Sequence, residues 1–163
     1  MSINITTGNK EEAIHIMREA AQWLICVGKP MWDLDDVSME NLTNPPDEFH
    51  VMWDGQESIA AMILSFEDRF FWPHIPANTS GFIHKLAVRR KFAGKGYAKQ
   101  MVEQAKKVCL ATGIHSLRLD CDPHREGLLK LYHACGFKLV EIKKLTLPKL
   151  GTIDIALHEM KLS

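Results

Sequence analysis

A glycine-bearing turn near the middle of the chain is the first place where residue types and spacing could do chemistry. Gly94 and Gly96 follow an apolar, strand-prone run, and after them apolar residues recur every three or four positions, as in a helix. The first N–H groups of a helix have no partner within it, and the helix dipole adds positive charge there. Glycine lets a ligand approach the backbone closely. The segment therefore predicts a binding site for a phosphate or pyrophosphate.

Basic residues flank this turn, but neither of the two common phosphate-loop motifs is present. The basic residues are Arg89, Arg90, Lys91 and Lys95. A P-loop requires Ser or Thr after Gly-Lys, whereas Gly96 follows Lys95 here. A dinucleotide-binding motif requires a third glycine where Lys99 stands, on a turn after the first strand. Both nucleotide-binding classes are disfavoured, and an ordinary tight turn is the alternative.

A second motif follows downstream, where residues 122–137 read DPHREGLLKLYHACGF. Together the two motifs resemble the GNAT superfamily of acyl-CoA-dependent N-acetyltransferases. The family pattern [QR]-x-x-G-x-[GA] after a strand corresponds to residues 93–98, and N-x-x-(A/L)-x-x-x-Y-x-x-x-G-F to residues 125–137. Ala93 replaces the usual Gln or Arg, and Arg125 replaces the usual Asn. These departures change side-chain contacts and leave the backbone N–H groups in place.

The resemblance implies that acetyl-CoA is the cosubstrate. In GNAT folds two central strands splay apart and the pantetheine arm lies in the gap; here these strands would be residues 82–88 and 116–121. Leu86 and Val88 would pair their backbone groups with the pantetheine, as an added half-strand does. The residues that the resemblance assigns to cofactor binding are Leu86, Ala87, Val88, Ala93, Gly94, Lys95, Gly96, Tyr97, Ala98, Arg125 and Leu128.

Acetyl transfer to an amine requires a group that deprotonates the ammonium and a group that protonates the departing thiolate. The family commonly uses direct attack by the amine, and no Cys or Ser stands beside an obvious His partner. Tyr132 matches the family tyrosine and is the candidate acid, the alternative being a ring that only packs. His84 is the candidate base, because it precedes Leu86 on the cofactor strand and imidazole titrates near neutral pH. The alternatives are a histidine satisfied by its neighbours, or Asp120 or Asp122 as base; for these aspartates a turn or capping role is the simpler interpretation.

Acidic and aromatic residues in two other segments suit a cationic amine acceptor. They are Trp32, Asp33, Asp35 and Asp36 after the first helix, and Phe70, Phe71 and Trp72 in a long loop at 67–80. A solvated acidic loop and aromatics that cover the sheet are the alternative. The histidines are scattered, so no metal site is expected.

Composition restricts the class of protein. The chain has 163 residues, which fits one domain over 1–163, and its formal net charge is zero. Nucleic acid and anionic membranes usually require a basic excess, so neither is the expected partner. The four cysteines stand singly without metal spacing, and the N-terminus is polar with no signal peptide. We expect a cytoplasmic protein, with monomer or homodimer left open.

The predicted element order is β-α-α-β-β-β-α-β-α-β-β, with Asn9 capping the first helix and a short second helix at residues 38–42. The predicted strands are 2–6, 48–53, 58–66, 81–88, 116–121, 137–145 and 154–160. The later helices are predicted from Gly96 or Tyr97 to Thr112 and at 126–134. This order predicts an α/β (α+β) fold with a mostly antiparallel mixed sheet. The resemblance places helices on both faces. The leading functional hypothesis is an acetyl-CoA N-acetyltransferase acting on a primary amine of a small molecule or protein. A non-catalytic acyl-CoA-binding regulatory module on the same fold is the alternative.

Overall fold

A computed structural model describes residues 2–30, 32, 34–40, 42, 47–148 and 151–163, with the backbone alone for residue 35. Its strands are β1 (Ile3–Thr7), β2 (Glu48–Asp54), β3 (Glu57–Ser65), β4 (Gly81–Val88), β5 (Ser116–Cys121), β6 (Lys138–Leu147) and β7 (Gly151–Lys161). Its α-helices are α1 (Lys10–Cys26), α2 (Tyr97–Ala111) and α3 (Glu126–Cys135). The predicted order of strands and long helices is confirmed.

The strands form one mixed sheet in the order β1-β2-β3-β4-β5-β7-β6. Four pairs of neighbours are antiparallel, whereas β4 and β5 run parallel. The β4–β5 register covers three residue pairs, from Gly81–Leu117 to Ile83–Leu119, and stops before the end of either strand. This early end agrees with the predicted fold class, in which two central strands part.

By compactness the chain divides into two units, residues 1–64 with 85–104, and residues 65–84 with 105–163. The core of the first unit forms where the apolar face of α1 meets β2 and β3, with Ala13, Met17, Val51 and Ile63 buried together. Asn9 caps α1, because its side-chain oxygen accepts the N–H of Glu12 at 3.3 Å. The predicted cap is therefore confirmed.

The second unit is built on β5, whose side chains alternate between buried and half-buried. Leu117 and Leu119 are buried, as are Phe82 and Phe137 in the same unit. Strands β6 and β7 are longer than predicted, since their pairing continues from Lys138–Glu159 to Leu147–Gly151. Most of the predicted connection at 146–151 therefore belongs to the hairpin; residues 149 and 150 lie outside the described residues.

The predicted second helix at 38–42 is wrong. A short 3-10 helix forms earlier, at Leu34–Asp36, and Val37 after it is fully buried in the first unit's core. Arg18 Nη1 donates to the carbonyls of Leu34 and Val37 at 2.6 and 2.7 Å. These carbonyls are thus satisfied by a side chain of α1, and burial of Val37 fixes the path of the segment. The breaker predicted at 44–47 falls mostly outside the described residues.

No helix in the described ranges is both long and apolar enough to cross a membrane.

Candidate active site

The glycine turn presents open backbone. Between β4 and α2 the chain forms a 3-10 turn at Arg90–Phe92 and then passes through Gly94 and Gly96, with φ of +76° and +82°. Residues with a side chain rarely adopt such angles. A Cβ at either glycine would meet no atom within 4 Å, and both glycines are exposed. A ligand can therefore reach this backbone without displacing a side chain.

Hydrogen-bond donors are concentrated in the same turn. Gln100 N donates to Gly96 O at 3.3 Å and so closes the first turn of α2. For the N–H groups of residues 94–98, the described part of the chain supplies no backbone acceptor. Tyr97 is buried and meets Phe92 edge to face, with ring centroids 6.1 Å apart, which fixes the start of the helix. The turn thus has the donors that an anion requires.

Two of the four basic residues around the turn are paired with carboxylates. Arg89 Nε lies 3.4 Å from Glu19 Oε2, and Lys91 forms an ion pair with Glu57. The hydrogen bond from Lys91 holds the pKa of Glu57 below its ordinary value. Arg89 and Lys91 are therefore paired with carboxylates of their own unit, while Lys95 is exposed within the turn itself.

The Tyr-x-x-x-Gly-Phe motif buries two aromatic rings at the end of α3. Gly136 ends the helix with φ +105°, and a Cβ there would lie 3.3 Å from Met160 Sδ. This turn brings Phe137 back onto Tyr132, with ring centroids 5.9 Å apart and edge to face. The Tyr132 ring also lies 6.3 Å from that of His158. The positive φ therefore favours glycine here, and a larger residue would also press against the Met160 side chain.

Burial sets the protonation of the groups around Tyr132. Desolvation raises the pKa of Tyr132 well above its ordinary value, and Cys121 and Asp120 act in the same direction while Arg125 opposes them. The Tyr132 hydroxyl is therefore protonated at neutral pH. Burial also raises the pKa of the Cys121 thiol to about 12, which disfavours a reactive thiolate. Burial lowers the pKa of His158 and so favours its neutral form.

His84 lies between two carboxylates in the second unit. Its Nε2 is 3.7 Å from Asp68 Oδ2, and its Nδ1 is 3.8 Å from Asp120 Oδ1. The side chain of Asp68 is only 5% exposed, whereas those of Asp120 and His84 are 14% and 24% exposed. The three residues offer donor atoms within 4.8 Å of one another, so a metal ion is one ligand to consider. The sequence identified His84 and Asp120 but missed Asp68, which stands in a loop without a motif.

The comparisons with known proteins identify the family. The model of the acetyltransferase (GNAT) family matches residues 14–137, three quarters of the chain. The chain belongs to the GNAT acetyltransferase family.

Its relatives agree with this assignment. The chain is 27% identical over 143 residues to the uncharacterized N-acetyltransferase YesJ of Bacillus subtilis (strain 168), covering 80% of this chain and 77% of that protein. An acetyltransferase of Bacillus subtilis in complex with CoA shares the fold with a TM-score of 0.69 and 19% identity, over 99% and 100% of the two chains. A GNAT acetyltransferase of Elizabethkingia anophelis with acetyl-CoA bound has a TM-score of 0.63 at 18% identity, over 98% of each chain. The predicted enzyme class is thereby confirmed.

Two residues that the sequence offered as candidates, Asp122 as a base and Trp72 as an acceptor contact, make structural contacts in this GNAT acetyltransferase. Asp122 Oδ1 accepts the N–H of His124 at 2.9 Å, which is the turn role considered for it. Trp72 is 8% exposed and packs near Phe82, while Arg118 lies 5.4 Å from its ring. Trp72 is therefore a core residue of the second unit.

The remaining predicted residues differ in burial. On β4, Leu86 and Val88 are half-buried while Ala87 belongs to the first unit's core. Arg125 and Leu128 are half-buried at the start of α3. Ala93 and Lys95 are exposed, Tyr97 is buried and Ala98 is half-buried in the turn and the start of α2.

The predicted acceptor residues are only partly described. Trp32 is half-buried beneath Lys85 Nζ, 5.1 Å from the ring centroid, and Asp36 is exposed. Phe70 is 64% exposed and contacts Phe71 edge to face. Asp33 and the side chain of Asp35 lie outside the described residues. An acceptor role for these segments stays a prediction.

Proposed function

We propose that this acetyltransferase transfers the acetyl group of acetyl-CoA to a primary amine of a small molecule or protein, by direct attack of the amine on the thioester. The observation that supports this best is the place of Asp120: its Oδ1 lies 3.8 Å from His84 Nδ1, and its charge adds to burial and Cys121 in raising the pKa of Tyr132. A base and a protonated hydroxyl thus share one neighbourhood of the second unit. The buried Cys121 thiol, held protonated, favours direct attack over a covalent enzyme intermediate.

Acetyl-CoA supplies an activated acetyl thioester carried on a pyrophosphate-bearing arm. We assign the pyrophosphate to the N–H groups of residues 94–98, because they are exposed and lack backbone acceptors in the described chain. Lys95 adds positive charge there. Leu86 and Val88 offer strand backbone to the pantetheine. Arg125 and Leu128 remain candidate cofactor residues on the strength of the family motif. The whole chain, residues 1–163, would act as one domain in the cytoplasm.

The two catalytic groups have separate tasks. His84 takes a proton from the acceptor ammonium, which frees the nitrogen lone pair for attack. Tyr132 donates a hydrogen bond to the departing sulfur. Since burial raises its pKa, Tyr132 remains a donor at any physiological pH but is a weak acid. We therefore assign it stabilisation of the developing thiolate by hydrogen bonding more than complete proton transfer.

Ligand binding and turnover test the proposal in two steps. Acetyl-CoA and CoA should raise the melting temperature of the chain, while ATP and NAD at equal concentration should not. Release of free thiol is then measured against a panel of primary amines and N-terminal peptides. Stabilisation by acetyl-CoA without thiol release from any acceptor would favour the non-catalytic binding module instead. Sedimentation of the purified chain distinguishes monomer from homodimer.

A further inference from the structure

Asp68 uses one carboxylate oxygen to shape the loop that follows it. Its Oδ1 accepts the N–H groups of Phe70 and Phe71 at 3.0 and 2.9 Å. Its carbonyl accepts the N–H of Trp72 at 3.2 Å. These bonds form a turn of the kind that Asp side chains commonly make. The loop therefore fixes the position of the carboxylate.

The other oxygen, Oδ2, is buried and has no hydrogen-bond partner among the described residues. Burial of an unpartnered charged oxygen is costly, so the position of this atom needs a physical reason. Oδ2 faces His84 Nε2 at 3.7 Å, slightly beyond hydrogen-bond length. Both carboxylates can only accept, but Asp68 is the more buried of the two and its Oδ2 lacks a partner, so the favoured state of His84 carries its proton on Nε2. The Nδ1 atom then holds the basic lone pair.

This tautomer turns Nδ1 and Asp120 into a pair of acceptors that face each other. They are 3.8 Å apart, and neither can donate to the other. If a donor nitrogen lies about 2.9 Å from each atom, the angle Nδ1–donor–Oδ1 is about 80°. Two N–H bonds of one nitrogen can point to both acceptors at this angle with only slightly bent hydrogen bonds. A primary ammonium has three such bonds and carries the charge that Asp120 favours. These two facing acceptors therefore match the ammonium group of the acceptor substrate.

A single metal ion suits this arrangement less well. It could bind only one ring nitrogen of His84, yet the two carboxylates face different nitrogens. Although one donor atom of each residue lies within 4.8 Å of the others, one carboxylate would have to reach the ion from beside the ring nitrogen that it does not face. Hydrogen bonding at both ring nitrogens, in contrast, uses Asp68 at Nε2 and Asp120 beside Nδ1 in their present positions.

We propose that Asp68 is the positioning residue of His84, and that His84 Nδ1 and Asp120 Oδ1 together receive the ammonium of the acceptor. The catalytic part of this inference rests on the proposed function. One proton passes from the ammonium nitrogen to Nδ1, and the electron pair of that N–H bond becomes the lone pair of the neutral amine. The imidazolium then lies between two carboxylates until it returns its proton to solvent.

Asp68→Asn tests the tautomer directly. The asparagine Oδ1 can still accept from Phe70 and Phe71, while its NH₂ group now faces Nε2 as a donor. Nε2 must then accept, so the proton moves to Nδ1 and the base is lost. We expect the turnover number to fall by about 100-fold or more, as for loss of one general base, with the Michaelis constant for acetyl-CoA unchanged. A comparable Asp-to-Asn change in a serine protease acts through the wrong His tautomer.

Nitrogen-15 NMR of the His84 imidazole measures the tautomer directly and does not depend on enzymatic activity. In the wild-type chain at pH 8, His84 should carry its proton on Nε2, and in Asp68→Asn on Nδ1. A wild-type His84 protonated on Nδ1 would overturn the proposal even if the enzyme acetylates amines. Conversely, a chain that acetylates nothing can still show the expected tautomers. Failure of the proposed function can therefore be distinguished from failure of the positioning role of Asp68. If Asp68→Asn does not fold, the wild-type spectrum decides alone.

Matched variants separate positioning from other effects. Asp122→Asn changes a neighbouring aspartate that serves a turn, and should alter neither tautomer nor turnover. Asp120→Asn should raise the acceptor Michaelis constant roughly tenfold and leave the tautomer as it is, since one charged hydrogen bond is lost. Activity that is lost with chelator and restored by Zn²⁺, together with Zn²⁺ binding that Asp68→Asn abolishes, would replace the proposal with a metal site.

Discussion

The glycine turn and the His84 cluster place polar groups for a ligand in opposite ways. The turn uses backbone N–H groups of adjacent residues, and its geometry depends on the positive φ angles of Gly94 and Gly96. The cluster uses three side chains that come from a loop, β4 and β5. Changes of side chains around the turn should therefore leave acetyl-CoA affinity intact, whereas changes of its backbone conformation should weaken it. In the cluster, the loss of a single donor or acceptor atom should lower turnover.

This contrast predicts that departures from the family pattern are tolerated at the turn. Ala93 lacks the usual long side chain but leaves every N–H of residues 94–98 in place. Arg89 and Lys91 are paired with carboxylates, so they contribute to the structure of the first unit. Recognition at the turn is thus assigned to the backbone, and predictions can be made separately for each region.

Removal of the proposed base should have the largest effect. His84→Gln keeps a polar side chain of similar reach but cannot take up a proton near neutral pH. We expect the turnover number to fall by about 10²- to 10⁴-fold, because one general base is lost, with unchanged affinity for acetyl-CoA. The acidic limb of the pH–rate profile should disappear. His15→Gln, on the exposed face of α1, is the matched control and should behave as wild type. An unaltered pH–rate profile in His84→Gln would remove His84 from the site.

Tyr132→Phe should have the next largest effect, since it keeps the ring contacts with Phe137 and removes only the hydroxyl. Single-turnover rates should fall by roughly 10- to 1000-fold, overlapping the range for loss of one acid–base group. Acetyl-CoA binding and thermal stability should remain. Steady-state rates alone are insufficient, because slow product release can hide a slower chemical step. Undiminished chemistry in this variant, with a confirmed acceptor, would assign the role to water or another residue.

Gly96→Val should act on the turn alone. Valine strongly disfavours φ of +82°, so the N–H groups from 94 to 98 should lose their alignment. We expect the dissociation constant of acetyl-CoA to rise at least tenfold, which corresponds to about 1.4 kcal/mol.

The turn of the β2–β3 hairpin supplies the control for that variant. Gly55 also has positive φ, +61°, with no atom near its missing Cβ. Gly55→Val should therefore produce comparable backbone strain in the same unit without affecting acetyl-CoA. Equal affinities for Gly96→Val and wild type, in folded protein, would mean that the turn does not bind the cofactor.

The smallest expected effect concerns pH and His158 next to Tyr132. Burial lowers the pKa of His158, so the unfolded chain, with an ordinary value of 6.5, binds its proton more readily. The free energy of unfolding should therefore fall as pH drops through about 6.5 and below. Urea titrations at pH 7.5 and 5.5 measure this, and His158→Gln should show a smaller decrease than wild type. A decrease of equal size in both proteins would assign the acid sensitivity to other groups.

The amino-acid sequence determined those features that depend on neighbouring residues. Glycines at positions 94, 96 and 136 permit positive φ, and the apolar spacing after position 96 predicts a helix, so the turn and the end of α3 were predictable. The strand order along the chain and the family motifs predicted the fold class. The motif also identified Tyr132, although its burial and raised pKa come from packing against Phe137 and β7.

Only the tertiary structure decided which side chains meet across the sheet. Asp68 became part of the candidate site because the loop after β3 returns its carboxylate to β4, and nothing in the local sequence specifies that path. The same applies to the burial of Trp72 and Val37, and to the pairing of Arg89 and Lys91 with Glu19 and Glu57. The physical reason is that backbone conformation depends on adjacent residues, whereas contacts between distant side chains depend on strand register and loop course.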